Sequence, residues 1–248
     1  LDRGLGYQRR ILALQPATAT ALGHTSQGLL ALGRPDEALM LARRRLATEA
    51  SEAARKSVRA LLLYAPGIDP EVAAALRRRL APASAPAPRW RNAFEPNRAL
   101  RVAYLSSDFR DHPVARSLMP LISAHGRSNV EPYLYGEVAR VDAVTEEFKK
   151  LGPWRSTIGL DDEALARTMR KDGIDIAVFV GGSFDMNRLE AAARRCAPIQ
   201  VSLHDGGTSG IAAIDALIAD PRLVPRNERG RFSERVMRLP DLYLHQPI

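Results

Sequence analysis

One stretch divides this chain into two unlike parts. Residues 81–98, APASAPAPRWRNAFEPNR, hold four prolines and cannot continue a helix. Before this stretch the apolar residues recur at helical spacing, whereas after it they gather into short runs of strand length. A single element crossing the boundary is excluded. The 248 residues therefore read as a helical domain (1–80), a Pro-rich linker (81–98) and an α/β domain (99–248). Trp90 and Phe94 read as anchors that dock the linker on a neighbouring surface rather than as ligand-binding groups.

Residues 1–80 are rich in Ala, Leu and Arg and almost lack β-branched side chains, which favours helix by propensity. Breaks fall at Gln15-Pro16, at Gly33-Arg34-Pro35-Asp36 and at Pro66-Gly67. At the middle break Gly33 ends one helix, while Pro35 with Asp36 and Glu37 suits the first turn of the next. Leu22, Leu29 and Leu30 precede it, and Ala38, Leu39, Leu41 and Ala42 follow. The pattern is a helical hairpin. Its spacing resembles a tetratricopeptide repeat, with Leu22, Leu29, Gly33 and Ala38 at signature positions and Ser26 where that unit usually has Gly. A generic hairpin is the alternative. One repeat cannot bury both its faces, so either further repeats precede it or it docks on the following domain.

The net charge of +8 is carried entirely by the first part: 16 of the 36 basic and 8 of the 28 acidic side chains lie in residues 1–98, leaving 20 of each beyond. Arg43-Arg44-Arg45 and Arg77-Arg78-Arg79 are spread around helices rather than aligned, and no aromatic residues interleave with them. This argues against nucleic acid and for a solvated face or an acidic protein partner. An apolar content of 46% excludes dominant disorder, and the lone Cys196 excludes a disulfide scaffold and reads as a packing residue. No apolar run reaches the ~20 residues that cross a bilayer, and the first residues, LDRGLGYQRR, do not have the shape of a signal peptide. A cytoplasmic protein without a membrane partner is expected. The missing initiator Met points to a fragment.

From Leu100 onward strands and helices alternate. Strands are expected at 101–105, 132–135, 174–180, 199–203 and 216–219; helices at 114–125, 142–151, from 161 and at 186–195. Continuously apolar strands such as Ile174–Val180 indicate a parallel sheet covered on both faces, a doubly wound α/β domain. Its ligand crevice lies beyond the carboxyl ends of the strands. The loops after Leu105, Val180 and Leu203 are therefore the places to look.

The first loop, SSDFRDHPVARS (106–117), packs Asp108, Asp111, His112 and Arg116 at a strand-to-helix turn. His112, before Pro113, suits a general base at neutral pH or a donor to a phosphate or sugar hydroxyl. The alternative is a helix cap made by Asp108 or Asp111 with His112 solvated. In the second loop, Gly181-Gly182-Ser183-Phe184-Asp185, the glycines lack dinucleotide-binding spacing. In the third, HDGGTSG (204–210), the glycines around Thr208 and Ser209 make either an anion cradle or a tight turn. No metal-ligand spacing occurs; His204 beside Asp205 is only one pair.

The run RVAYLSSDFRDHPVARSL (101–118) resembles the opening of the catalytic region of protein O-GlcNAc transferases, glycosyltransferase family 41. The resemblance recurs in order through DGIDIAVFVGG (172–182), NRLEAAARRCAPIQVS (187–202), GTSG (207–210), IDALIAD (214–220) and FSERVMRLP (232–240). It implies a GT-B arrangement, of which this chain holds the end of the tetratricopeptide repeats and the first Rossmann-like half. It also implies inverting, metal-free transfer of GlcNAc from UDP-GlcNAc to Ser or Thr of proteins, with the nucleotide sugar as substrate and no resident cofactor. His112 takes the family's histidine position, long proposed as a base, and Asp108 that of the SSDF acid. Pro113, Arg116, Gly182, Ser183, Gly207, Thr208, Ser209 and Gly210 fall at substrate-facing positions. The chain departs from the family at Ser183-Phe184 and in SLHDGGT (202–208), where a WLGYPGT-like stretch is usual. In the family the second half supplies most of the nucleotide grip, so the isolated chain is expected to turn over little. Relatives use GDP-fucose, UDP-glucose or nonulosonic acids. The competing expectation is a non-catalytic protein-binding module made of helical repeats and a degenerate transferase half.

Overall fold

The computed structural model describes residues 2–16, 18–93, 95, 97–184 and 186–240, in two compact units, one up to Ala81 and one from Pro82. The first unit contains α1 (Asp2–Leu14), α2 (Ala19–Ala31), α3 (Pro35–Thr48), α4 (Glu52–Leu61) and α5 (Pro70–Leu80). Gly33 ends α2 at φ +71°, and the N–H groups of Gly33 and Arg34 return to Leu30 and Leu29 at 2.9 Å. That left-handed turn satisfies the last carbonyls of the helix and aims the chain into α3. At the position where the repeat pattern has Gly, the Ser26 hydroxyl donates to the Ala38 carbonyl at 2.7 Å and ties α2 to α3. Leu22, Leu29, Leu39, Val58, Leu61 and Leu62 form the apolar centre, each large side chain contributing about 1.5–3 kcal/mol by burial.

Two expectations for this unit need correction. A further break separates α3 from α4, with Ser51 accepting the Ala54 N–H at 3.2 Å as the cap. The Arg77-Arg78-Arg79 triplet is also not wholly solvated: Arg77 is buried and donates to the Arg59 carbonyl at 2.5 Å. Arg59, itself buried, reaches Glu52 at 3.3 Å.

The second unit is built on seven strands: β1 (Leu100–Ser106), β2 (Val130–Gly136), β3 (Trp154–Ser156), β4 (Ile176–Val180), β5 (Ile199–Leu203), β6 (Ala216–Ala219) and β7 (Arg235–Arg238). They lie in the order β3-β2-β1-β4-β5-β6-β7, and every pairing is parallel. Helices α6 (Pro113–Ala124), α7 (Ala143–Lys149) and α8 (Asp162–Lys171) connect strands. Val102, Tyr104, Leu134, Val178 and Val180 share one core with Leu118, Ile122 and Phe148. The alternate residues Ala103, Leu105, Ala177 and Phe179 are buried on the opposite face. The expected parallel, doubly covered sheet is present. Strands β3 and β7 are additional to those expected, and the segment expected to be helical at 186–195 is a 3-10 helix over Leu189–Arg194.

The Pro-rich segment is no free tether, because its hydrogen bonds run into the second unit. Ala85 N–H donates to Ala193 O at 2.7 Å, and Asn92 reaches Gly173, Ile174 and Asp175. Arg98 grips Asp175 with two nitrogens at 2.6 and 2.7 Å, while Asp175 also accepts the Arg101 N–H at 2.9 Å. Burial alone would raise the Asp175 pKa, but Arg98, Arg101 N–H and Asn92 outweigh it and hold the carboxyl below the usual range. Trp90 is half-buried, and Phe94 lies outside the described residues.

Candidate functional site

The strand order reverses direction between β1 and β4, and that switch places the carboxyl ends of β1 and β4 on either side of a crevice. The loop leaving β1 is pinned there from below. Phe109 is fully buried, its ring 4.8 Å from Phe148 and 5.8 Å from Trp154. With Phe109 fixed in the core, Asp108 and Ser107 are held at the carboxyl end of β1. Asn187, from the loop after β4, locks them across the switch. Its carbonyl accepts Ser107 N–H at 2.8 Å and Ser106 Oγ at 3.2 Å, and its amide donates to Asp108 Oδ2 at 3.1 Å. Ser107 Oγ donates to Asp108 Oδ1 at 3.2 Å, and Asp108 is 2% exposed.

His112 closes the group from the other side, with Nδ1 3.7 Å from Asp108 Oδ1 and the ring partly exposed. The cap of α6 is His112 itself, not Asp108 or Asp111: its Nδ1 accepts the Val114 N–H at 3.3 Å. The Asp111 N–H goes instead to Asp142 at 2.7 Å. Pro113 occupies the first helical position and is exposed. Arg116 is exposed on α6, away from the Asp108–His112 group. Arg110 stands closer, with Nη2 4.0 Å from Asp108.

After β4, Gly181 and Gly182 have φ of +79° and +57°. A Cβ on Gly181 would strike Asn187, and one on Gly182 would sit 2.5 Å from Asp205 Oδ2. Both positions exclude side chains for steric as well as conformational reasons. Ser183 is buried, 3.4 Å from Glu190. Asp185 lies outside the described residues. After β5, His204 has φ +58°, and its burial lowers the imidazole pKa to about 4 despite the opposing pull of Asp108.

The turn at 207–210 is a tight turn rather than an anion cradle, because a carboxylate already fills it. Glu234, 5% exposed, accepts the Ser209 N–H at 2.6 Å, the Thr208 hydroxyl at 2.7 Å and the Ser209 hydroxyl. The Gly210 and Ile211 N–H groups are taken by the Thr208 and Ser209 hydroxyls at 3.2 and 3.0 Å. Thr208 and Ser209 therefore face inward and shape the turn, leaving Gly207 and Gly210 at its partly exposed rim. Sequence reasoning missed Asn187, Glu234 and the proximity of His204 to Asp108, since each acts across a strand pairing. Cys196 is a packing residue: fully buried, with its thiol pKa pushed up to about 12.

A hollow of about 530 Å³ opens beside the group, with Ser107, Arg110, Glu137, Arg140 and Met186 on its walls. Among the described residues no set of three or more His, Cys, Asp or Glu side chains could hold a metal ion, and no helix is long and apolar enough to cross a membrane.

Residues 84–245 match the profile of "Glycosyl transferase family 41". The chain belongs to glycosyltransferase family 41. Among curated relatives, a probable UDP-N-acetylglucosamine–peptide N-acetylglucosaminyltransferase SPINDLY of Petunia hybrida is 32% identical over 161 residues, covering 62% of this chain and 17% of that protein. The UDP-N-acetylglucosamine–peptide N-acetylglucosaminyltransferase of Caenorhabditis elegans is 30% identical over 149 residues, covering 58% of this chain and 13% of its own length. A solved mutant of the Thermobaculum terrenum O-GlcNAc transferase superposes with a TM-score of 0.89 at 32% identity, covering 96% of this chain and 47% of that one. This family 41 chain thus spans about a sixth of the curated SPINDLY relatives and under half of the solved bacterial enzyme.

Proposed function

We propose that this chain forms one wall of the cleft of a protein O-glycosyltransferase that moves GlcNAc from UDP-GlcNAc to Ser or Thr of protein acceptors, with inversion and without a metal. The observation that carries the reading is the Asp108–His112 pair, 3.7 Å apart at the switch point, with Asp108 held by Ser107 and Asn187. A Ser hydroxyl is a weak nucleophile, so transfer needs proton removal as its oxygen attacks the anomeric carbon and the nucleoside diphosphate departs. The two tautomers of His112 serve different ends. With Nδ1 accepting the Val114 N–H, the neutral ring carries its proton on Nε2 and donates to a substrate oxygen. With the proton on Nδ1 toward Asp108, Nε2 is free to take the hydroxyl proton. The donor is a substrate in this reading, and the acceptor protein is the partner.

The test is His112→Ala in the complete gene product. Transfer to protein falls at least tenfold, on the scale of ~10²–10⁴ for acid–base groups, while the melting temperature moves by only a few degrees, as loss of one cap implies. Undiminished transfer removes His112 from the chemistry.

A further inference from the structure

The hollow beside Asp108 lies off the switch-point crevice. That crevice opens between β1 and β4, whereas the hollow takes most of its walls from the loops after β1 and β2, on the side of β1 that faces β2. The loop after β4 adds Met186, 60% exposed. Ser107 belongs to the wall while its hydroxyl donates to Asp108 Oδ1 at 3.2 Å, so the hollow begins one residue from the Asp108–His112 pair. Its volume of about 530 Å³ falls within the ~300–1,000 Å³ of ligand sites.

The charges of the walls select what enters. The acids among the described wall residues are engaged by the protein's own donors. Glu137 pairs with Arg188 at 3.3 Å and accepts the Thr157 hydroxyl at 2.5 Å. Asp142 accepts the N–H groups of Asp111 and Thr145 at 2.7 and 2.9 Å, and those bonds hold its carboxyl below the usual range. The cations differ. Arg110 lies 4.0 Å from Asp108 with its side chain 35% exposed, and Arg140 is exposed and pairs with no acid among the described residues. A guanidinium presents a planar fork of donors that matches a carboxylate with two parallel hydrogen bonds. The apolar Met186 beside it suits the rest of a peptide rather than a free anion.

We propose that this hollow is an acceptor subsite that receives an acidic side chain flanking the modified Ser or Thr, with Arg140 as the residue that sets the preference. The proposal rests on the transferase reading given above and adds which acceptors that site favours. Both guanidinium groups touch solvent, so screening keeps the preference modest, about fivefold, and makes it salt-dependent.

The experiment uses the complete gene product with UDP-GlcNAc and short synthetic peptides that carry one Ser and, at each flanking position in turn, Glu, Gln or Lys. At a position on one side of the Ser, wild type takes the Glu peptide about fivefold better than the Gln peptide in kcat/KM, mainly through the peptide KM, and the ratio shrinks from about 50 to about 500 mM salt. Arg140→Gln removes the ratio, and Arg140→Glu makes the Lys peptide the better acceptor. The exposed side chain of Arg140 can change without disturbing the core. Donor turnover without any Glu preference in wild type, or a preference that survives both variants, overturns the subsite and leaves the transferase reading in place. A matching rise in the UDP-GlcNAc KM for donor hydrolysis in Arg140→Gln means that the hollow holds the donor's diphosphate, and overturns the assignment to the acceptor. A wild-type protein that neither hydrolyses UDP-GlcNAc nor modifies any peptide overturns the transferase reading itself.

Discussion

Acidification separates His204 from the rest of the fold in a way that stability measurements can read. In the unfolded chain its imidazole takes a proton near pH 6.5, whereas in the folded chain burial delays protonation until about pH 4. The unfolded state therefore binds the extra proton first, and stability falls as the pH drops from about 6.5 to about 4. At roughly 1.4 kcal/mol per pH unit, that gap corresponds to about 3 kcal/mol once the pH is below both values, and to about 2 kcal/mol at pH 5. His204→Asn removes this titration and tolerates the same backbone angle. Both tryptophans, Trp90 and Trp154, lie in the second unit, so their fluorescence in urea follows that unit's unfolding. The quantity to compare is the loss between pH 8 and pH 5, which cancels any constant cost of the substitution. Titration of His125, also lowered by burial, is common to both proteins and cancels too. Wild type should lose about 2 kcal/mol more than the variant over this range. Curves that stay parallel within about 0.5 kcal/mol, the usual scatter of additive effects, would refute the claim that the folded ring resists protonation.

Two other perturbations probe the supports of the site. Glu234→Ala leaves the Ser209 N–H and two hydroxyls without their acceptor, and should lower the stability of the second unit by about 4 kcal/mol or more in urea titration, given about 1.5–3 kcal/mol for each hydrogen bond to a charged group; a loss under about 1 kcal/mol would mean that the turn holds itself. Asp175→Asn breaks the two-nitrogen grip of Arg98, and limited proteolysis should then cut within residues 82–98 several times faster, whereas an unchanged cleavage rate would show that Ala85 and Asn92 suffice to hold the segment.

The sheet was readable where burial leaves a continuous apolar run. Strands β4, β5 and β6 lie between neighbours and carry IAVFV, IQVSL and ALIA, which announce themselves. Strands β3 and β7 close the edges with WRS and RVMR, half or more exposed and too short for a periodic signal, so pairing rather than pattern defines them. The break between α3 and α4 was marked by Ser51 and Glu52, a cap signal overlooked because no Gly or Pro accompanied it. Asp108 and His112 could be singled out because one loop carries both. Asn187 and Glu234 could not, since their partners are about 80 and 25 positions away and meet them only after β1 has paired with β4 and β6 with β7. In the segment at 82–98 the prolines exclude helix, while the polar grips at Asp175 have no local signature.

The burial of Cys196 has a practical consequence for spectroscopy of this chain. A fully covered thiol that loses its proton only near pH 12 scarcely reacts with maleimides at neutral pH. Site-directed labelling can therefore begin from the natural sequence. A cysteine substituted for exposed Met186, at the mouth of the hollow, would carry the sole reactive sulfur and report ligand arrival there without background from elsewhere in the chain.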